Sequence, residues 1–518
     1  MFYENTNFAA IVPDSIMAIL KNDITFKNPK LLENALLFIT HLKLQNHIYK
    51  DTEEQNPAIG YHSDLLRAIF SSDYYIKSVE RLIQLGIIEK SGFYSPGNRS
   101  YQFKLADKYF FERSIIYPYK YKGVIKKIIN IKQKFYKNRY LKLKPYLHQQ
   151  YDNLQCLFID KEEADKWITE QEPIWVEEND KKPKNQQKNI MVKVNYYLDS
   201  VNKIHHGFLH NLSVSLSNSR FNTVLTSFPK ALRKFLYIQD ICSGMVLNKK
   251  IEIDGSNTQP LMLCLYLESN KYEIEPEVKQ LCLSGLLYDT IAHDMNETRE
   301  WVKQRIMDTL LFTKSNGAYT LKFKDGNDKI QEIRKFAKYC STAYPKFFKA
   351  LITEKQRLEL LENHPVNWIN PGGSELAKRI QKMESEIWIH TLLKEMPENM
   401  FYATIHDSIM IFDPSIEDVI KTRNKILEVG YRLHGIRLPL KLEFHNIEEQ
   451  EKKLYLYEFN SNTYHPEIVN ENSENNSHTQ CLKTFKINDT VSQDEREHTI
   501  TTVSSETFEK LFKTKRKS

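Results

Sequence analysis

The early part of the chain switches between helical and strand periodicity. Apolar residues recur at three- and four-residue intervals over 31–49, 63–70 and 75–84, which predicts three amphipathic helices, the second capped by Ser63. Residues 91–105 alternate around Pro96-Gly97-Asn98, the pattern of a hairpin. Further on, Ile251-Glu252-Ile253 ends in Asp254 and a small polar stretch, Gly255-Ser256-Asn257-Thr258-Gln259. Residues 401–412 read as two strands joined by a tight turn at His406-Asp407. Helical patterning returns over 293–312 and 376–387, and 437–444 reads as a strand. Residues 171–190 are polar and rich in Pro, Lys and Asn, which predicts a linker; 458–518 carry few apolar residues, which predicts weak order apart from a short helix at 508–512.

A length of 518 residues points to two to four domains. No run of about 18 apolar residues occurs, and the N-terminus lacks the basic-then-apolar order of a secretory signal, so a soluble, cytoplasmic protein is expected. The six cysteines are scattered without a CxxC pair, which argues against a zinc ribbon or a disulfide framework. A net charge of +7 is a weak pointer to nucleic acid. One segment sharpens it. Residues 120–144 hold 10 Lys and Arg, among them Lys126, Lys127 and Lys134, with no acid and with aromatics interleaved. Such a helix can track a phosphate backbone. It can equally bury Ile125, Ile128, Ile129 and Ile131 and leave its lysines solvated, and both can hold at once.

Asp254 and Asp407 each stand where a buried strand opens onto a loop. A lone Asp there is usually a turn or cap residue. Two of them on one sheet are what a two-metal phosphoryl-transfer site requires, since hard cations take oxygen ligands. Arg299 and Lys303 are four apart on a helical pattern, so they share a face. An anion such as a triphosphate would relieve their repulsion; on spacing alone, a surface helix paired with Glu297 and Glu300 is the commoner case.

The order of these pieces resembles the family A DNA polymerases and the related phage-type single-subunit RNA polymerases. The matching positions are Arg220, Asp254, Arg299 with Lys303, Gln381, His406 with Asp407, and Pro439-Leu440, over roughly 190–450. The resemblance implies an α+β fold: a right-hand polymerase with an antiparallel palm sheet and helical fingers and thumb, over 190–457. Residues 116–189 would form a basic, thumb-like helical segment and linker, and 458–518 a polar tail. Residues 1–115 resemble a winged helix-turn-helix, which can serve either DNA binding or protein–protein scaffolding.

By the same resemblance, Asp254, Asp407 and the Gly255 carbonyl would hold two Mg ions, with Mn able to substitute. Arg299, Lys303 and Gln259 would meet the nucleoside triphosphate. Arg220, Arg233, Gln381 and the lysines of 120–144 would contact template and primer. His406 would orient Asp407 or touch the primer terminus, or simply pack. Gln259 stands where DNA polymerases usually carry Glu, and Leu311-Phe312 where both families carry Tyr-Gly. These departures imply a nucleotidyltransferase of replication or transcription that tolerates ribose, with a DNA polymerase proper as the alternative. Two other readings compete: an HD-type metallohydrolase using His205-His206, His293-Asp294 and His406-Asp407, and a non-catalytic winged-helix DNA-binding replication protein.

Overall fold

Among the described residues of this computed structural model every strand pair is antiparallel, and helices cover the small sheets. This is a mixed helix-and-sheet chain, as the patterning predicts. The described residues are 8–46, 58–60, 63–70, 74–92, 101–110, 112–138, 140–182, 187–206, 213–215, 218–240, 243–307, 309, 327–361 and 371–461. They belong to the unit Met1–Ile468; the chain's other unit is Val469–Ser518. No helix among them is long and apolar enough to cross a membrane. Leu311-Phe312 and most of the 458–518 tail lie outside the described residues.

Three apolar cores organise the first unit. The first gathers helices Pro29–Asn46, Ser63–Phe70 and Tyr75–Gln84 against strands Ile59–Gly60, Ile88–Ser91 and Gln102–Leu105. Residues 93–100, the tip of the expected hairpin, lie outside the described residues. Phe38 is central here, meeting Phe70 and Phe103 edge-on at 5.5 and 5.9 Å between ring centres.

This core does not stop at residue 115. Strand Ser114–Pro118 returns to pair with Ala9–Pro13, and the basic helix Lys122–Asn138 buries Val124 and Ile128 in the same core. Glu33 anchors the start of that helix, its two carboxylate oxygens each accepting from a backbone N–H, those of Lys120 and Tyr121, at 2.9 Å. Lys127 points inward. Its ammonium donates to the Ile69 carbonyl at 2.7 Å and to Asn34 Oδ1 at 3.1 Å. Burial and the nearby Lys30 charge pull its pKa down to about 8. The expected phosphate contact is therefore not available to Lys127, whereas Lys126 is exposed. The Lys134 side chain lies outside the described residues.

The second core corrects the expected linker. Helix Lys161–Asp180 runs through most of 171–182 with Pro173 inside it, and helix Ile190–His205 follows closely. An internal proline costs about 3 kcal/mol. The offset comes from tertiary packing: Trp175 is buried, its ring centre lies 4.9 Å from that of Tyr197, and the Lys193 ammonium sits 3.9 Å from the Trp175 ring.

The third and largest core surrounds a four-stranded sheet in the order Tyr402–Ile405, Ser408–Phe412, Lys250–Gly255, Leu440–His445. The Lys250–Gly255 strand is central, with Ile253 opposite Ile409 on one side and Leu442 on the other. The helix expected over 293–312 is broken in two. Helix Leu287–Met295 ends at Asn296, whose φ of 53° is left-handed, and Thr298 caps a new helix, Arg299–Ile306, by accepting from the Trp301 N–H at 3.2 Å. The break decides where Arg299 points, because it makes that residue the first of a new helix.

The two neighbouring lysines of the basic helix should behave oppositely. Lys127→Gln should cost about 1–3 kcal/mol by orphaning the Ile69 carbonyl, while Lys126→Gln should stay within about 0.5 kcal/mol. Urea midpoints of the two variants check this; equal midpoints would show that Lys127 is not a structural donor.

Candidate active site

The central strand alternates strictly. Ile251 and Ile253 enter the large core, and Lys250, Glu252 and Asp254 share the other face. The register then fixes the site. Asp254 lies opposite Ser408 on one side and Lys441 on the other. Asp407 immediately precedes Ser408 in the hairpin turn, and its carbonyl accepts from the Gly255 N–H at 3.0 Å. Two aspartates separated by more than 150 positions in sequence thus stand side by side at the ends of adjacent strands.

Tight local geometry holds them there. His406 turns the hairpin with a φ of 57°, a left-handed conformation that His, Asn and Asp adopt more readily than most residues. At Gly255 a Cβ would overlap the Thr258 hydroxyl and press to 3.1 Å from Trp388, so glycine is needed where the strand folds into helix Thr258–Ser269.

The electrostatics show the cost of this juxtaposition. Burial first, then the Asp407 charge, pushes the Asp254 carboxyl up to about 6, against the pull of Lys441. The Lys441 ammonium lies 2.9 Å from Asp254 Oδ2 and 3.2 Å from Glu443 Oε1. A side-chain cation therefore stands against the aspartate. Burial lowers the His406 imidazole, helped by Arg220 and opposed by Asp407 and a Thr226 backbone contact, which favours the neutral ring.

A third carboxylate, which sequence reading missed, joins the pair. Glu384, near the end of helix Pro371–Ser385, is only 1% exposed, and Arg220 Nη2 donates to its Oε1 at 2.6 Å. Burial and then Asp407 push its carboxyl up to about 7, against Arg220 and Gln259. The signal was present: Leu376, Ile380, Glu384 and Trp388 recur every four residues, on one buried face. Around it, Asn218 Nδ2 donates to Gln381 Oε1 at 2.8 Å, and Ser219 takes a φ of 57° just before Arg220. The structure thus brings Arg220, Gln259, Glu384 and Asp407 within one another's field, with Gln381 one turn away.

Arg299 and Lys303 are on one helix, and the pairing with Glu297 and Glu300 expected of a surface helix is not what Arg299 makes. It reaches back to Asp289, with Nε 3.2 Å from Oδ1, and lies 5.4 Å from the Tyr288 ring centre. Glu297 pairs with Lys335 at 2.6 Å instead. Lys303 is exposed. Tyr288 was also missed. It is buried, and its phenol is raised by burial, then by Cys282 and Asp407, with Arg299 opposing and Asp254 adding. It therefore lies against Arg299 and within the field of both aspartates.

Arg233 is corrected outright. Its Nη1 lies 2.8 and 2.7 Å from the two oxygens of Glu252, and the residue is 9% exposed, so it is turned away from any phosphate backbone. Glu252 also accepts from Ser408 Oγ at 2.6 Å. Glu252, Glu443 and His445 form a three-residue cluster of metal-ligating types among the described residues. The Arg233 guanidinium already fills the charge demand of Glu252, so this is an ion-pair network under the site. The His-Asp pairs of a hydrolase do not gather: no such cluster joins His205, His206, His293 and His406 among the described residues.

The donor set at the aspartates suits a divalent cation. Asp254 and Asp407 offer hard oxygens, and next to them Asn257, 4% exposed with a φ of 54°, has both side-chain polar atoms without a protein partner. No family model and no curated protein matches the chain. A solved structure, the POL domain of Pol1 from M. smegmatis in complex with DNA primer-template and dNTP, matches with a TM-score of 0.38 at 10% identity, covering 62% of this chain and 72% of that one.

The Arg233–Glu252 pair sets a pH-dependent stability. Burial alone would raise the Glu252 carboxyl, but His445, Arg233 and Ser408 together outweigh it and hold the carboxyl at about 2, below the ordinary 4.5. A depressed carboxylate contributes fully above pH 4.5, and its contribution is lost as the pH falls towards 2. Arg233→Gln should cost about 3–5 kcal/mol at neutral pH by stranding a buried charge. Denaturation of both proteins at pH 7 and pH 3 checks this: the gap should narrow at acid pH, and a constant gap would remove Glu252 from the account.

Proposed function

We propose that this chain is a template-directed nucleotidyltransferase that extends a nucleic-acid 3′-OH with nucleoside triphosphates. The observation that carries the reading is the Asp254–Asp407 pair, set side by side at the ends of adjacent strands, with the Arg299–Lys303 helix reaching the same space through Tyr288. The order of elements noted in the sequence supports it independently.

In this reading Asp254, Asp407 and the Gly255 carbonyl would hold two Mg ions. Such ions activate a 3′-oxygen and neutralise a leaving pyrophosphate. The chain's own groups do the remainder. Arg299 and Lys303 bind the triphosphate, the guanidinium bidentately and the ammonium as a point charge. Asp289 keeps Arg299 extended along Tyr288 until then. Arg220 meets Glu384 rather than bulk solvent, so it positions the floor of the site. His406, neutral by burial, orients the hairpin that carries Asp407. The N-terminal helices and strands act as a winged helix, and with Lys126 they add affinity for the template duplex.

Asp254→Asn and Asp407→Asn should each lower Mg-dependent incorporation of labelled nucleotide on a primed template by at least about 10³-fold. Template binding should stay within about twofold. Binding without incorporation in the unaltered protein would leave a non-catalytic nucleic-acid-binding protein, and template-free release of phosphate or nucleoside would favour a hydrolase.

Gln259 sets the expected sugar choice. It lies beside Glu384, and its amide can exchange a hydrogen bond with a ribose 2′-OH, where a glutamate at this position would exclude it. Ribonucleotides should therefore be used at an efficiency within about 10³-fold of deoxyribonucleotides, and Gln259→Glu should shift the ratio towards deoxyribonucleotides. Matched single-nucleotide incorporation measures this. An unaltered ratio in the variant would assign sugar reading to another residue.

A further inference from the structure

Beside the catalytic turn lies a cleft of about 660 Å³ whose wall carries Ser256, Lys279, Ser284, Arg423, Arg437 and Phe459. No carboxylate lines it among the described residues. Its position is fixed by backbone: the Ser256 N–H donates to the Pro439 carbonyl at 2.8 Å, and Gly435, with a φ of 65°, ends helix Ile416–His434 and turns the chain so that Arg437 faces back towards Arg423.

The arginine charge in this cleft is uncompensated. Lys279 has Glu268 at 2.7 Å. The two arginines have no acidic partner among the described residues. Arg423 is 5% exposed; it donates to Asn424 Oδ1 at 2.8 Å and lies 5.0 Å from the Phe459 ring centre. Burial, and after it the charge of Arg437, lowers its pKa. A buried guanidinium with a second one close by and no counter-ion is a costly arrangement. An anion between them removes that cost.

We propose that this cleft binds a compact polyphosphate anion of the pyrophosphate or triphosphate class. Guanidinium forks match phosphate oxygens bidentately, and two unpaired ones call for an anion of more than one charge. The cleft volume lies in the range of small-ligand sites, about 300–1,000 Å³. Leu283, Leu427 and Leu438 close it into a concavity instead of the open basic stripe that a nucleic-acid backbone follows. The inference rests on this cleft's shape and charge, not on the metal pair, and it holds without any divalent cation.

Titration calorimetry of the full chain in EDTA separates it from the metal-dependent site. Inorganic pyrophosphate and inorganic triphosphate should bind, sulfate at least about tenfold more weakly. Arg437→Gln, an exposed position, should weaken pyrophosphate binding about tenfold or more without moving the melting temperature. Arg423→Lys, which keeps the charge and loses the fork, should weaken it too. Failure of pyrophosphate to bind, or binding indifferent to Arg437→Gln, would overturn the proposal. A short DNA duplex that binds with the Arg437 dependence while pyrophosphate does not would assign the cleft to nucleic-acid phosphates and overturn it equally.

Discussion

The antiparallel pairing of strand Lys250–Gly255 with a neighbour on each side is what the site depends on. It sets Asp254 against Ser408 and Lys441, and so sets Asp407 beside it. Two ionised carboxylates about 5 Å apart repel by roughly 3 kcal/mol at an effective dielectric of 20. Side chains free to move would separate. Here backbone hydrogen bonds, the left-handed turn at His406 and the glycine at 255 hold them in place.

The strain has a thermodynamic sign. A carboxyl raised from 3.8 to about 6, as Asp254 is, keeps a proton in the folded state that the unfolded chain has released. Stability therefore falls as pH rises through that interval. Glu384, raised from 4.5 to about 7, extends the same trend. Both groups are held at neutral pH by cations, Lys441 for one and Arg220 for the other. The protein has thus placed two energetically costly acids around one point, against the ordinary tendency of cores to exclude them. Beneath them, the Arg233–Glu252 pair is a satisfied network that stiffens the floor.

Much of this was legible in the sequence, and the rest was hidden for identifiable reasons. The hairpin at 401–412, the strand ending at Asp254 and the helices Ser63–Phe70 and Tyr75–Gln84 follow from local periodicity and turn chemistry, which a single sequence records. The linker reading failed over 171–180 because Pro173 and the polar composition are local signals, while the helix is held by Trp175 against Tyr197, a tertiary contact. The break at Asn296 was missed because helical patterning continues through it, and only Thr298 marked the new cap. Arg233 and Lys127 were read as solvent-facing because charge was taken as a proxy for exposure; each has an inward partner that no spacing rule reveals. Glu384 was recoverable from its four-residue spacing within an apolar stripe, and Tyr288 was not, since its proximity to both aspartates comes from the packing of distant helices.

In the proposed function, Asp254 and Asp407 together hold a pair of divalent cations. Its most direct test is electron paramagnetic resonance of Mn²⁺ added to the full chain with a primed template and a non-hydrolysable nucleoside triphosphate. Two metals about 3.5–4 Å apart are magnetically coupled. Two bound Mn²⁺ with a coupled spectrum are expected, with loss of the coupling in Asp407→Asn. Uncoupled Mn²⁺ in the unaltered protein, or a coupled spectrum that survives Asp407→Asn, would contradict it.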